Sequence, residues 1–302
     1  MPNSWTHVLF CEQVADTAGF PKNIVNTYMK LGAQGPDPFF YYNFWPWADG
    51  KAGDEVGMAL HTRHCGDFLM SLISEAKQKD HRMKAYVMGF VTHHVLDRNT
   101  HPYIHYHAGY EGSNHQKLET IIDTLMLEKY RQLRTWKTPV YKEIDIGPGL
   151  DQEIEQLLHE TMEQHYPGLN SIITHVLLQK AYKDMRLALK VLFDPYGWKN
   201  SLLGSVVSSY SHRPVEADTD YLNLDGKMWH HPATNEPRSE SFIDLYENAL
   251  AEGEQILTAV ENYWQDRSGA EEELRGLIGD VSYDNGTAIA LELENKYSDP
   301  IV

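Results

Sequence analysis

The chain has 302 residues, of which 42% are hydrophobic and 23% charged, with 21 Gly and 14 Pro; this composition excludes a disordered, collagenous or low-complexity polypeptide and describes a globular one. Forty-three acidic against 26 basic residues leave a formal charge of -17, which repels nucleic-acid phosphates and acidic lipid headgroups at long range unless bound cations reverse the field locally. Only Cys11 and Cys65 are present, so there is no disulfide framework. The N-terminal stretch has no cationic leader pattern and no apolar run reaches the roughly 18 residues of a membrane span, and a cytoplasmic protein with no integral membrane segment is expected.

In chain order, Ser4 can cap a first helix running to about Ala18, and Pro21 is placed to open a second that stops at Gly32. The stretch GAQGPDPFFYYNFWPWADGKAGD follows as a long aromatic loop, and a loop of that length inside a domain is usually functional. From Asp54 the pattern is helical through to Lys79, with His61, Cys65, Phe68 and Leu72 on one stripe. RMKAYVMGFVTHHVLDRN forms the next helix, ending near Thr100 because the residue before Pro102 is steered away from α geometry. Asn114 then caps HQKLETIIDTLMLEKYRQLR. Four further helices are expected near 150–166, 169–194, 199–210 and 239–267, the last opened by Ser239 or Ser241. With no period-2 run of β-branched residues, the fold class is all-α. A single all-helical domain over 1–302 is expected, with a metal-site half at about 1–135 and a helical C-terminal half at about 136–302.

Nine of the 16 histidines lie between His61 and His115, and metal ligation is the commonest local cause of such clustering. His93 and Asp97 stand four apart on one helix, so both project from one face a turn apart. His115 and Glu119 repeat that spacing on the next helix, and His101 lies between the pairs. Imidazole nitrogens with carboxylate oxygens are a ligand set zinc accepts, and three protein ligands leave a position for water. Two pairs on antiparallel neighbours, with His101 at their connection, can hold two metals a few ångströms apart, the arrangement of a two-metal phosphoryl-transfer site.

A single H-x-x-x-D on a helix is more often a surface pair or a buried histidine with its partner. Two in succession beside Tyr86, Phe90, Ile121 and Ile122 are harder to explain in that way, because buried polar groups are costly without compensation. His94 shares a face with Val87 and Val91 and reads as a core or supporting histidine. His105 and His107 sit in HPYIHYHAG, and His105 is the alternative to His101 as ligand. HETME at His159 lacks the second histidine of a zinc-protease signature.

The segments GAQGPDPFFY, HTRHCGDF, FVTHHVLDRNTHPYIHYHAG and NHQKLETIIDTL resemble those of the zinc-dependent phospholipase C family, with DYLNLDGKMWHHP similar to a segment of its cytoplasmic members. The resemblance implies an all-helical fold, shared with the single-strand nucleases, carrying up to three zinc ions in a cleft. Asp37, His61, His93 and Asp97 would hold one; His101, His115 and Glu119 a second; His7 with the other oxygen of Asp97 a third. In the secreted members an N-terminal Trp amine completes that third site, whereas Trp5 here is internal. Two zincs are thus expected and a third is possible.

The resulting expectation is a zinc-dependent phosphoric ester hydrolase in which metal-activated water attacks phosphorus and Asp37 is the catalytic general base. Its substrate would be a small phosphoester or a phospholipid, with no nucleic acid as partner. A single-strand nuclease-like phosphodiesterase and a non-catalytic metal-binding protein are the alternatives. Phe39, Phe40, Tyr41, Tyr42, Trp45, Trp47 and Trp229 either line a cleft or anchor loops to the core.

Overall fold

A computed structural model describes residues 4–216 and 218–302. Its α-helices are, in chain order, α1 (Ser4–Thr17), α2 (Thr27–Gly32), α3 (Lys51–Thr62), α4 (Cys65–Ala76), α5 (His81–Ala108), α6 (Asn114–Arg131), α7 (Gln152–His165), α8 (His175–Leu192), α9 (Trp198–Val207), α10 (Phe242–Trp264) and α11 (Ala270–Ile278). The sheet content of the described residues is one hairpin, β1 (Trp229–His230) against β2 (Pro237–Arg238), antiparallel with Trp229 opposite Arg238. The fold is all-α.

The long helix α5 is the axis of the molecule. It is buried on nearly every side from Met83 to Ile104, so its sequence has no polar stripe to set a period, as befits a helix enclosed by others. Helices α1, α2, α4, α6 and α10 all pack against it.

Several boundaries differ from those read in the sequence, each for a local reason. Helix α2 starts at Thr27, not Pro21, because the Asn26 side chain accepts hydrogen bonds from the backbone N–H groups of Tyr28 and Met29. The helical run from Asp54 breaks into α3 and α4 at His64, whose φ is +50°. The first turn of α1 is capped from outside: the buried Asp123 carboxylate on α6 accepts from the N–H groups of Trp5 and Thr6. At α10 the choice falls on Ser241, which forms a reciprocal capping box with Asp244. Residues 169–174 precede α8 rather than belonging to it.

The largest departure is that α5 continues through Pro102 to Ala108. Proline removes the N–H that would bond the carbonyl of Arg98. In its place Gly286, at φ +67°, brings its backbone against that carbonyl so closely that a Cβ would stand 2.2 Å from the oxygen. The Gly286 N–H itself bonds the Ser282 carbonyl, so the remote segment covers the Arg98 carbonyl by contact alone, and the helix keeps its geometry at His101.

Helices α2 and α5 touch backbone to backbone. A Cβ on Gly32 would lie 1.9 Å from the Tyr86 carbonyl oxygen, and one on Gly89 would lie 2.0 Å from that of Met29. This approach brings the Ala33 carbonyl to His93. Gly89→Ala is therefore expected to push the helices apart and destabilise the fold by ~1–3 kcal/mol, measured as a lowered urea midpoint; an unchanged midpoint would contradict the tight contact.

Candidate metal centre

Five imidazoles and three carboxylates converge beside α5. Asp37 comes from the 3-10 turn Asp37–Tyr41 after α2, His61 from the last turn of α3, His7 from α1, His93, Asp97 and His101 from α5, and His115 and Glu119 from α6. All are buried except His115, which is partly exposed. Three groups have their ligand atoms within 4.8 Å of one another: Asp37, His61 and His93; His7, His93 and Asp97; His101, His115 and Glu119. His7, Asp37, His61, His93, Asp97, His101, His115 and Glu119 are thus brought together, whereas His105, the alternative to His101, lies outside these groups.

Asp97 is its hub. One oxygen lies 3.2 Å from His7 Nε2 and 3.7 Å from His101 Nε2; the other lies 3.0 Å from His93 Nε2 and 3.7 Å from His61 Nε2. Asp37 Oδ1 is 3.4 Å from His61 Nε2 and 3.8 Å from His93 Nε2. Glu119 Oε1 stands 3.0 Å from His115 Nε2 and 3.5 Å from His101 Nε2.

The far sides of three rings fix what these contacts mean. His61 Nδ1 is 2.7 Å from the Gly57 carbonyl, His93 Nδ1 is 3.1 Å from that of Ala33, and His101 Nδ1 is 2.9 Å from that of Tyr283. A carbonyl oxygen only accepts, so each Nδ1 carries a proton and each ring turns its Nε2 toward the carboxylates. Lone pair against carboxylate is repulsive unless a proton or a metal ion lies between them. Both Asp37 oxygens and one Asp97 oxygen also lack a hydrogen-bond donor though buried. Two ligand atoms held about 2.0–2.1 Å from one tetrahedral ion stand roughly 3.3 Å apart, in the middle of the observed separations. The donor set and its spacing fit zinc, with carbonyls holding the ring orientations as metal sites require.

The electrostatics agree. Burial pushes the Asp97 carboxyl upward, but His101, His93 and His7 outweigh it and hold the pKa well below the carboxylate range. Burial depresses His101, yet Asp97 and Glu119 carry it up to about 10. His7 is raised against its burial by Asp97 in the same way, and His115, dominated by burial, is lowered to about 4.

The other histidines do different work. His94 is buried, bonded to the Val281 carbonyl and packed on Tyr283. His105 pairs with Asp284 at 2.8 Å, and His107 lies between Tyr103 and Trp229. Of the aromatics, Phe39, Tyr41 and Trp229 are buried anchors, Trp229 donating its indole N–H to the Glu240 carbonyl. Phe40 packs on His61, and Trp45 stacks on the exposed Trp47.

Sequence reasoning missed the C-terminal segment around the centre. Tyr283 supplies the carbonyl to His101, its N–H bonds the His61 carbonyl, and Ser282 bonds that same carbonyl. Backbone groups have no residue signature, so only the fold reveals them. Gly35 was also missed: at φ +50° it lies under the His93 ring, where a Cβ would come within 2.3 Å.

Fold and site together define an all-helical protein built around a buried centre of histidine and carboxylate groups that could hold metal ions. Residues 6–168, more than half of the chain, match the family model described as zinc dependent phospholipase C, and the chain belongs to that family. No curated protein and no solved structure matches it. Among the described residues no helix is long and apolar enough to cross a membrane.

The raised His101 predicts how metal-free protein responds to pH. Folded His101 keeps a proton that the unfolded chain releases near 6.5, so its contribution is complete below pH 6.5 and is lost as pH rises toward about 10. Asp97, shifted down, contributes above the ordinary carboxylate range and is lost only in acid. Chelator-treated protein is therefore expected to show a falling Tm between pH 6.5 and 10, and zinc, taking the proton's place, to remove that fall. A Tm that rises across this window without metal would contradict the assignment.

Proposed function

We propose that the protein is a zinc-dependent, phospholipase C-like phosphodiesterase holding two zinc ions and a weaker third. The single observation that carries this reading is the Asp97 carboxylate faced by four imidazoles, three of them turned Nε2-inward by backbone carbonyls. His61, His93, Asp37 and one oxygen of Asp97 would hold one ion; His101, His115 and Glu119 the second. A ring nitrogen has one lone pair, so His93 serves one ion, whereas the two oxygens of Asp97 can bridge. His7 and the remaining Asp97 oxygen would then hold the third ion with fewer protein ligands.

When bound, the zinc ions supply Lewis-acid neutralisation of the phosphate oxygens and lower the pKa of water toward about 7. The chain's own groups do the rest. Asp37 is fixed by the turn that Pro36 opens, and its oxygens, lacking donors, are available to take the proton of the attacking water. The carbonyls of Gly57, Ala33 and Tyr283 keep three imidazoles from rotating, so ligand geometry is set before substrate arrives. His115, the one partly exposed member, marks the side from which a phosphodiester approaches, while the buried remainder excludes bulk water.

An artificial diester such as bis-(nitrophenyl) phosphate should be hydrolysed, with activity lost to chelator and recovered with zinc. Asp37→Asn retains the shape of the side chain but not its basic oxygen, and should lower turnover by about 10²–10⁴-fold. His115→Ala should release about one zinc per chain. Full turnover in the Asp37 variant would remove its role as base, and hydrolysis by fully demetallated protein would overturn the whole reading.

A further inference from the structure

Large apolar side chains stand exposed at one place more than elsewhere. Leu187 and Val191, four apart on α8, are followed by Tyr196, Trp198 and Leu202 at the connection to α9 and along its first turns; Tyr196 is 85%, Leu202 74% and Trp198 53% exposed. The Lys199 ammonium bonds the carbonyls of Val191 and Phe193, folding the start of α9 back onto the end of α8, and lies 5.7 Å from the Trp198 ring. From α6's following loop, Lys137 lies 5.3 Å over the Tyr196 ring. Contiguous exposed apolar area of this kind marks an interaction site.

Its charge runs against that of the whole chain. Between 176 and 202 the sequence carries Lys180, Lys183, Arg186, Lys190 and Lys199 against Asp184 and Asp194, and both acids are buried. Asp184 is spent on Lys180 and the Asn43 N–H, Asp194 on Asn200, and Arg186 is paired with Asp145 from outside this stretch, so the surplus charge rests on Lys183, Lys190 and Lys199. Lys183 and Lys190 face outward and pair with no acid among the described residues. In a chain of net charge -17, this is a local cationic surface studded with Trp, Tyr and Leu.

The same segment leads to the metal centre. Beyond α9, the Ser209 carbonyl accepts from Thr120 Oγ1 and the Ser209 hydroxyl meets that of Ser113. Ser113 and Thr120 bracket His115 and Glu119 on α6, and α9 itself spans only about 15 Å.

We propose that the outer face of α8 and α9, with Leu187, Val191, Tyr196, Trp198 and Leu202 as apolar contacts and Lys183, Lys190 and Lys199 as cations, docks on an anionic phospholipid bilayer. Amphipathic rings and aliphatic side chains enter the headgroup boundary while lysines meet acidic lipids. The -17 charge opposes approach at long range, and the local field orients the protein with this face toward the lipid. Docking would hold the His115 rim near the membrane surface, a role that rests on the proposed phosphodiesterase reading.

The test uses zinc-loaded protein, chilled and at low salt, sedimented with vesicles of phosphatidylcholine and phosphatidylglycerol in equal parts. Wild type should partition onto these vesicles and less onto pure phosphatidylcholine. The double variants Trp198→Ser with Leu202→Ser, and Lys183→Glu with Lys190→Glu, should each lower partitioning by about tenfold or more. Turnover of a soluble diester should stay unchanged in both, which also shows that they fold. Wild type left in the supernatant, variants that bind as well as wild type, or equal binding to the uncharged vesicles would each overturn the proposal. So would a wild-type dimer by light scattering that the Trp198 and Leu202 changes dissociate, since the face would then belong to a second copy. Docking without diester hydrolysis would leave this face standing and remove the phosphodiesterase reading.

Discussion

A buried carboxylate surrounded by imidazoles sets the terms for the rest of this structure. Asp97 has almost no exposure and four ring nitrogens around it. Taking such a charge out of water costs several kcal/mol unless a cation compensates it. The helices are arranged so that compensation is at hand: a proton on His101, raised to about 10, when metal is absent, and zinc in the proposed loaded state. Proton and metal compete for the same nitrogens, which links the stability of the fold to the chemistry of the site.

Holding Asp97 there requires elements from both ends of the chain. The close glycine contact of α2 and α5 delivers the Ala33 carbonyl to His93. Asp123 on α6 holds the start of α1, and with it His7. The C-terminal segment, well outside the 6–168 stretch that matches the family model, contributes the Tyr283 carbonyl to His101 and Gly286 to the gap left by Pro102. Its last residues run on along the end of α5, where Asp299 and Ile301 donate to the carbonyls of Tyr106 and His107.

The all-α class and the ligand pairs were legible because both are written in spacing. H-x-x-x-D and H-x-x-x-E on helices place two ligands on one face whatever surrounds them, and the structure does bring His93 with Asp97 and His115 with Glu119. Asp37, His61 and His7 could not be reached by spacing and came from the family resemblance. What stayed hidden depends on distant partners. Nothing near Pro102 says that Gly286 will cover the Arg98 carbonyl, so a local rule ended α5 too early. Helix α11 was overlooked although Gly269 precedes it and three glutamates fill its first turn. A left-handed His64 inside an apolar stripe gave no warning of the break between α3 and α4.

The central claim is that cations occupy the space between the inward-facing Nε2 atoms and the carboxylates. Anomalous scattering from a crystal of the protein, collected on both sides of the zinc absorption edge, tests it most directly. The account predicts peaks between Asp37, His61, His93 and Asp97 and between His101, His115 and Glu119, with a weaker one beside His7. An ordered centre in zinc-containing buffer with no anomalous peak, its histidines simply hydrogen-bonded to the three carboxylates, would contradict it.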